Sequence, residues 1–469
     1  MKNMKKIISG VLCSAVVAGS SVGVAVGLQR LNGQAEDLFI PVFRMAVCSD
    51  THVTPANTAL QEKFERFFTS SYDYAENHAY YKQLDAVVVT GDLTHTNRAV
   101  EMRSVRDTVV KNLKRETAFL SMVGNHDLYD SATGTDLGTN DNSSFINIMD
   151  YRLDQHIEVN GFHLISVSNE TSAGDYADSS MEWLKEQVAS AVKDDPNKPI
   201  FTFQHFHLTD SVFNSKAPSD SDFPSTMDSA YFDEAFAPYS QVVNFSGHSH
   251  GAGNSTRSIY QKDYTVVDVP AFFSVSAGTT DTKLSNFFAT GNQSLSVKYS
   301  DKGANMFRIV EVDADNKVRI YTYDMYEGGL CKTASTEDGD AVMYFEIDNV
   351  KDKDSFRYTD EKYQDTTAPV WAAGSALTVQ NNGDGTATVS FPQALEDNCM
   401  FGYKVSVIGE NYNEVYNFLD DYYVQSNIAG TMESFLVNVP AEAGQYTITV
   451  SATNVWGLTG ALLTATLAV

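Results

Sequence analysis

The chain is poor in cysteine, with four residues among 469. Cys13 lies in an apolar N-terminal stretch, which leaves Cys48, Cys331 and Cys399. A set this sparse and odd in number does not make a disulfide framework, so a small disulfide-stabilised scaffold is excluded. A single bridge between Cys331 and Cys399 stays open.

Basic residues are also scarce. The sequence has 33 Lys and Arg against 60 Asp and Glu, a formal net charge of −27. Binding along a nucleic-acid backbone requires a basic face, so we expect no nucleic acid among the partners. Such a charge is typical of a protein that stays dissolved outside the cell.

Long apolar runs are absent after residue 28. Residues 1–35 indicate a secretory signal peptide, because lysines precede a stretch at 7–28 rich in small apolar residues, with cleavage sites near 25–27 or 33–35. An uncleaved anchor is the alternative, since about 20 apolar residues can span a bilayer. We expect a secreted or cell-surface protein with no stable membrane span after signal cleavage.

Polar motifs follow five apolar, β-rich runs, which occupy residues 43–48, 86–90, 118–123, 200–203 and 242–245. Helical periodicity over 58–84 and 97–116 separates the first three runs, so these strands are expected to be parallel. Because α/β proteins place their chemistry at the carboxyl ends of strands, the motifs are expected to meet at one rim. They are Asp50-Thr51-His52, Gly91-Asp92, Gly124-Asn125-His126-Asp127, Gln204-His205 and Gly247-His248-Ser249-His250.

The motifs supply carboxylates, an amide oxygen and imidazoles, which suit Mn, Fe, Zn or Co. Seven such groups are too many for one tetrahedral zinc, but they are enough for two ions that share a bridging carboxylate. Two neighbouring metals bind phosphoryl oxygens and activate a water molecule. The motifs therefore predict two divalent metal ions as cofactors.

In this order the motifs closely resemble the D-x-H, G-D, G-N-H-D, H and G-H-x-H blocks of the calcineurin-like metallophosphoesterase superfamily. The resemblance covers about residues 44–326. It implies an α/β fold, a four-layer αββα sandwich in which two mixed β-sheets pack together with helices outside. It also implies hydrolysis of small phosphate mono- or diesters, of the nucleotide or phospho-sugar type, by a hydroxide that bridges the metals.

The resemblance also implies seven metal ligands. Asp92 would bridge both ions. The first ion would be held by Asp50, His52 and His250, and the second by Asn125, His205 and His248.

Two further residues would serve catalysis. His126 would stabilise charge at the phosphate or protonate the leaving group, and Asp127 would orient the His126 ring. His207 competes with His205 as a ligand if the register of the preceding strand differs by one residue. His95 is expected to lie behind the ligands or to face the substrate.

The sequence departs from one subgroup of the superfamily in the residues that follow Asp92. Purple acid phosphatases place a metal-binding tyrosine a few residues after the bridging aspartate. In this chain Leu93, Thr94 and His95 follow Asp92. An iron–tyrosinate centre is therefore not expected.

The C-terminal part indicates a separate all-β module. Residues 348–367 are polar and are expected to form a linker, which assigns 36–347 to the phosphoesterase domain. Short alternating segments and the turn Asn382-Gly383-Asp384-Gly385 predict a β-sandwich over 368–469, similar to fibronectin type III or immunoglobulin-like domains. We expect a spacer, with cell-wall contact as the alternative.

These features predict a secreted binuclear metallophosphoesterase. One rival is a surface adhesion or carbohydrate-binding protein whose metal site only stabilises the fold, which predicts metal-dependent melting without turnover. A second rival is a metal-dependent nuclease of the same superfamily, which the acidic charge disfavours.

Overall fold

The computed structural model describes residues 39–130, 135–136, 143–215, 230–276, 281, 283–288, 304–332, 342–364, 366–396, 399–420, 432–440 and 442–469. The predicted signal peptide lies outside these residues. Residues 41–469 form one compact unit. Within the described ranges, no helix has the length and apolar character needed to cross a membrane.

The strands of the first part are numbered in chain order. They are β1 (Pro41–Cys48), β2 (Ala86–Val89), β3 (Ala118–Ser121), β4 (Tyr129–Asp130), β5 (Thr135–Asp136), β6 (Gln155–Val159), β7 (Phe162–Ser166), β8 (Ile200–Phe203), β9 (Val242–Ser246), β10 (Ile259–Gln261), β11 (Thr265–Asp268), β12 (Met306–Asp313), β13 (Val318–Asp324), β14 (Gly329–Leu330) and β15 (Tyr344–Ile347).

The α-helices are α1 (Thr58–Asn77), α2 (Ala99–Asn112), α3 (Asp178–Asp194), α4 (Ala230–Phe236), α5 (Ser285–Phe288) and α6 (Asp360–Tyr363). A short π-helix spans Phe145–Met149, and 3-10 turns span Thr256–Ser258 and Lys353–Ser355. The apolar stripe of α1, which includes Phe64, Phe67 and Phe68, is buried as its helical spacing predicts.

Two mixed sheets form the first part of the molecule. One has the order β14-β13-β12-β1-β2-β3, with β15 also paired to β13, and the other has the order β10-β11-β9-β8-β7-β6. The pairs β1–β2, β2–β3, β7–β8 and β8–β9 are parallel, as the intervening helices predict. The carboxyl ends of these strands therefore lie along one rim of each sheet.

The packing of the two sheets follows from the alternation of side chains along each strand. In β1, Phe43, Met45 and Val47 belong to a core shared with the second sheet, whereas Ala46 and Cys48 face the core under α1 and α2. A third core lies between the second sheet and helices α3 and α4. The four-layer αββα architecture predicted from the resemblance is confirmed.

Two further sheets form the C-terminal part. Their strands are β16 (Thr378–Asn381), β17 (Thr386–Pro392), β18 (Met400–Gly409), β19 (Tyr412–Leu419), β20 (Met432–Asn438), β21 (Gln445–Asn454) and β22 (Leu463–Ala468). The sheets have the orders β16-β17-β20 and β19-β18-β21-β22, and one core takes residues from both. The predicted C-terminal all-β sandwich is confirmed.

The C-terminal sandwich is docked on the first part, which differs from the spacer expected from the sequence. The Arg257 guanidinium donates to the Val455 carbonyl oxygen at 2.9 Å, and the Trp456 indole N–H donates to the Thr256 hydroxyl at 3.1 Å. A small apolar core takes Phe213 and Ala252 from the first part, the α5 rings, and five residues of the sandwich region, among them Val455. The module is therefore part of the same folded body.

The segment predicted to be a linker also packs on the first part. The Tyr358 carbonyl oxygen accepts the Gln261 N–H at 2.9 Å, and the Tyr363 hydroxyl donates to the Thr256 carbonyl oxygen at 3.1 Å. The Tyr363 ring lies 4.0 Å, centroid to centroid, from that of Trp456. The polar composition of residues 348–367 reflects their position at the surface and does not mark a flexible linker.

Candidate metal centre

The predicted motifs occupy loops that directly follow adjacent parallel strands. Backbone hydrogen bonds connect these loops, from Asp50 N–H to the Gly91 carbonyl, from His52 N–H to the Asp92 carbonyl, and from Gly247 N–H to the His205 carbonyl, at 3.2, 3.0 and 2.9 Å. The rim is therefore a continuation of strand pairing rather than a set of independent loops.

The backbone of the site is held in an uncommon conformation. Five of the predicted ligands have left-handed φ angles, which non-glycine residues rarely adopt: Asp50 51°, His52 43°, Asp92 50°, His248 64° and His250 52°. Such residues cost about 1–3 kcal/mol each and persist where surrounding contacts enforce them, most often at functional sites. This backbone conformation directs the five side chains toward one another.

Two motif glycines are required by close approach. A Cβ at Gly124 would lie 2.3 Å from both the backbone nitrogen and Oδ1 of Asp92. A Cβ at Gly247 would lie 1.8 Å from the Ser49 hydroxyl oxygen and 2.8 Å from Oδ2 of Asp50. Any larger residue would push a carboxylate out of the centre.

The first group of ligands gathers around Asp50. Coordinating atoms of Asp50, His52 and His250 all lie within 4.8 Å of one another. Nε2 of His250 is 3.2 Å from Oδ1 of Asp50, and Nε2 of His52 is 3.4 Å from Oδ2 of Asp92. These are the three residues assigned to the first ion by the resemblance.

The second group gathers around Asp92. Coordinating atoms of Asp92, His205 and His248 lie within 4.8 Å of one another, and Nε2 of His205 is 2.9 Å from Oδ1 of Asn125. Because Asp92 Oδ2 faces His52 and Asp92 Oδ1 lies 3.4 Å from His205, this carboxylate lies between the two groups. Its position suits the bridging role implied by the resemblance.

Hydrogen bonds fix which imidazole nitrogen faces the centre. Nδ1 of His205 donates to the Thr90 carbonyl oxygen at 2.8 Å, and Nδ1 of His250 donates to the Ser274 carbonyl oxygen at 3.0 Å. Each ring then presents Nε2 to the carboxylates, and this is the arrangement that metal-ligating histidines use.

Two buried nitrogen atoms show that the residues fit a cation. Nε2 of His52 and Nδ1 of His248 are buried and have no hydrogen-bond partner among the residues that the structure describes. An unsatisfied buried polar atom costs about 1–3 kcal/mol, so such atoms require compensation. Imidazole, carboxylate and amide donors around Asp92 match the preferences of Zn, Mn, Fe or Co, and two groups of donors fit two ions.

Burial and charge together set the protonation of the side chains in the centre. Burial lowers the pKa of His52 to about 3, which keeps its ring neutral. Burial alone would raise the pKa of Asp50, but the hydrogen bond from His250 and the charges of His250, His205 and His52 together lower it and keep the carboxylate ionised. Burial would also lower the pKa of His205, but the charges of Asp92 and Asp50 and the hydrogen bonds to Asp92 and Thr90 together raise it to about 9. A bound cation would replace the proton held there.

The Asp127 carboxylate has a different role from the one predicted. It accepts the N–H groups of Leu93, Thr94 and Gly124 and the Thr94 hydroxyl at 2.8–3.0 Å. Nδ1 of His126 instead donates to the His95 carbonyl oxygen at 2.8 Å. The prediction that Asp127 orients His126 is wrong, because buried amides of two neighbouring loops occupy its oxygens. Asp127 ties together the loops that carry Asp92 and Asn125.

The sequence left open whether His205 or His207 joins the Asp92 group, and the structure distinguishes them. His205 belongs to the Asp92 group, whereas Nε2 of His207 donates to the Asn214 carbonyl oxygen at 3.1 Å. His95 lies beside the centre, with its Nδ1 3.3 Å from Nδ1 of His52. Its coordinating atom also lies within 4.8 Å of those of His52 and His126.

Sequence reasoning missed two supports of the last motif. The Ser249 hydroxyl donates to Oδ1 of Asp268 at 2.5 Å and accepts the Gly251 N–H at 2.9 Å, which fixes the loop that carries His248 and His250. Ser274, which orients His250, follows the end of β11. Residues 269–274 directly follow β11, so they carry the same strand-end signal as the five motifs.

Comparisons with known proteins agree with this geometry. Residues 43–252 match the family model described as calcineurin-like phosphoesterase. No curated protein matched the sequence.

Two solved structures resemble the chain at low identity. A purple acid phosphatase from yellow lupin (Lupinus luteus) seeds has a TM-score of 0.38 and 12% identity, over 65% of this chain and 53% of that one. A 5'-nucleotidase precursor from the bacterium Thermus thermophilus has a TM-score of 0.31 and 11% identity, over 84% and 89%. The chain thus spans about half of the lupin enzyme's length. Both TM-scores are low, so neither likeness bears on activity.

The family match falls on the part of the chain whose strand ends carry the ligand groups. The region of this chain that is similar to the calcineurin-like phosphoesterase family is therefore residues 43–252.

Proposed function

We propose that the protein hydrolyses small phosphate mono- or diesters with two divalent cations bound at the rim. The observation that carries the proposal is the convergence of two donor groups on Asp92, with buried nitrogen atoms of His52 and His248 unsatisfied. Asp50, His52 and His250 would hold one cation, and Asn125, His205 and His248 the other. When bound, the cations supply Lewis acidity and activate water.

His126 is positioned to assist the leaving group. Its Nδ1 donates to the His95 carbonyl oxygen, so Nε2 is the nitrogen that can give a proton to the departing ester oxygen. Hydrolysis breaks the bond from phosphorus to this oxygen and forms a bond from phosphorus to a water oxygen. The proton lost by the water replaces the one that His126 gives up.

Asp127 acts through the backbone. By accepting N–H groups from the Asp92 loop and from Gly124, its carboxylate keeps the positions of Asp92 and Asn125 fixed relative to each other. A preorganised set of ligands of this kind is what a two-cation site requires.

The direct test uses full-length protein stripped with EDTA and reloaded with Mn, Zn, Fe or Co. Hydrolysis of p-nitrophenyl phosphate, bis(p-nitrophenyl) phosphate and nucleoside monophosphates is then measured. Asp92→Asn is expected to abolish both metal binding and turnover. Asp73→Asn, a change at an exposed position of α1, is the matched control and should retain both.

Two other outcomes favour the rival functions. Metal-dependent melting without turnover of any ester would support an adhesion or carbohydrate-binding protein. Metal-dependent cleavage of DNA or RNA in preference to small esters would support a nuclease, against the expectation from the charge of −27.

We also propose that the chain is exported, on the basis of its basic and apolar N-terminal sequence. Mass spectrometry of protein from the culture medium should find a new N-terminus near residues 25–35. Recovery of intact chain only from membranes would indicate an uncleaved anchor. Contact between the C-terminal module and the cell wall stays a prediction, which a wall-binding assay would test.

A further inference from the structure

A large apolar side chain stands at the edge of the centre. Phe273 is 38% exposed, although its ring lies 4.5 Å from the ring of His52, 5.3 Å from that of His95 and 6.3 Å from that of His250, centroid to centroid. A phenylalanine that is packed on metal ligands and open to solvent on its other side forms part of the wall that a substrate meets.

The position of this ring is set by the backbone on both sides. Phe272 N–H donates to the Ser49 carbonyl oxygen and Phe273 N–H donates to the Asp50 carbonyl oxygen, at 3.2 and 3.1 Å. The Phe272 side chain is fully buried, and Ser274 accepts from His250. Phe273 is therefore held outward by a strand-like segment that is anchored before and after it.

Phe273 lies on the His126 side of the centre. The rings of His95 and His126 are stacked, 5.6 Å apart with an interplanar angle of 23°, and the Phe273 ring is 5.3 Å from His95. The departing oxygen takes its proton from His126 in the proposed reaction. The rest of the leaving group then lies along His95 and Phe273.

We propose that Phe273 and His95 form an aromatic wall that binds a planar, apolar leaving group. The inference rests on the proposed function and refines it, because it favours esters of aryl alcohols over esters of small polyols. Stacking on an aromatic side chain is sequence-tolerant and suits any flat π-system. Phe273 is thus a specificity-determining residue.

The test separates substrate binding from turnover. Calorimetry with metal-loaded, full-length protein measures binding of two non-hydrolysable probes, phenylphosphonate and methylphosphonate. Phe273→Ala should weaken phenylphosphonate about tenfold relative to methylphosphonate, the range expected for loss of one stacking partner. Phe273→Tyr should keep the preference. Tyr80→Ala changes an exposed aromatic residue at the opposite end of β2 and should alter neither affinity.

A second variant protects the test against loss of the centre. Phe273→Leu keeps apolar bulk over His52, should retain both metals by elemental analysis, and should still lose about threefold of the phenyl preference. Equal weakening of both probes, an unchanged preference in both the Ala and Leu variants, or no binding of either probe by wild type would each overturn the inference. Absence of turnover with the phenyl preference intact would instead refute the proposed hydrolysis alone.

Discussion

An alanine at position 124 is expected to damage the centre although residue 124 is not itself a ligand. Its Cβ would lie 2.3 Å from Asp92 N and Oδ1, whereas real Cβ contacts stay at or above 3.0 Å. Asp92 Oδ1 also accepts the His126 N–H at 2.8 Å, so the carboxylate cannot rotate away without losing that bond. The loop itself must move. Overpacking of this kind costs about 1–3 kcal/mol of stability.

The loss of activity should exceed the loss of stability. Sites work when their groups are held within about 0.5 Å, and a misplacement of about 1 Å can cost about 10²-fold. We therefore expect Gly124→Ala to lower kcat/KM by about 10²-fold and to bind less than two equivalents of metal. The measurements are ester hydrolysis, elemental analysis and urea unfolding of the purified variant.

Gly329→Ala is the matched control, because a Cβ at Gly329 meets nothing within 4 Å. It should retain wild-type metal content and kcat/KM. If Gly124→Ala also bound two metals and turned over like wild type, the close approach of this loop to Asp92 would not constrain the centre, and the reasoning would be refuted.

Three further substitutions test other contacts. Asp127→Asn sets an amide against buried N–H donors and should cost about 1–3 kcal/mol for each donor left unsatisfied, with metal content falling as well; a change in kcat alone would favour orientation of His126 instead. Burial raises the pKa of Asp268 to about 7, so the folded protein keeps a proton that the unfolded chain releases near pH 4. The contribution of Asp268 to stability should therefore fall by up to about 4 kcal/mol as pH rises from about 4 to 7. Over this range the urea unfolding free energy of metal-free wild type should fall relative to that of metal-free Asp268→Asn. Arg257→Met leaves buried Asp281 without its ion-pair partner and should lower unfolding free energy by about 3 kcal/mol; an unchanged urea midpoint would mean that this contact contributes nothing.

The fold, and the position of the motifs at one rim of the sheets, could be predicted because each depends on short contiguous stretches of sequence. Each motif directly follows an apolar run, and parallel strands joined by helices bring their carboxyl ends together. Boundaries were less predictable: helix α1 ends at Asn77 rather than near residue 84, because His78 takes an extended conformation with ψ of 139°. The sequence between His78 and Leu84 contains no proline or glycine that would have marked this end.

The partners of individual side chains could not be read from the motifs. Asp127 neighbours His126 in sequence, yet its carboxylate faces amides of a loop about thirty residues earlier. Likewise, His205 and His207 both lie beyond the end of β8, and only the path of the loop decides which ring joins Asp92. Such choices depend on packing between distant segments, which periodicity does not encode.

The docking of the C-terminal module was missed for a similar reason. Trp456 is recognisable as part of a late β-sandwich strand, but its contact with Tyr363 joins two segments about ninety residues apart. The sequence therefore favoured a spacer, because the few apolar residues that meet at this junction are not contiguous in the chain.

This junction limits how the chain can be divided. A fragment cut to the family match would end at Ala252, which is itself part of the junction core. A fragment ending at residue 367 would expose the rings of Phe287 and Phe288 and would remove the Val455 carbonyl that accepts from Arg257. Exposed apolar rings at this junction would favour aggregation. The first part of the chain therefore cannot be moved alone into another protein, because the face that the sandwich covers would need a substitute cover.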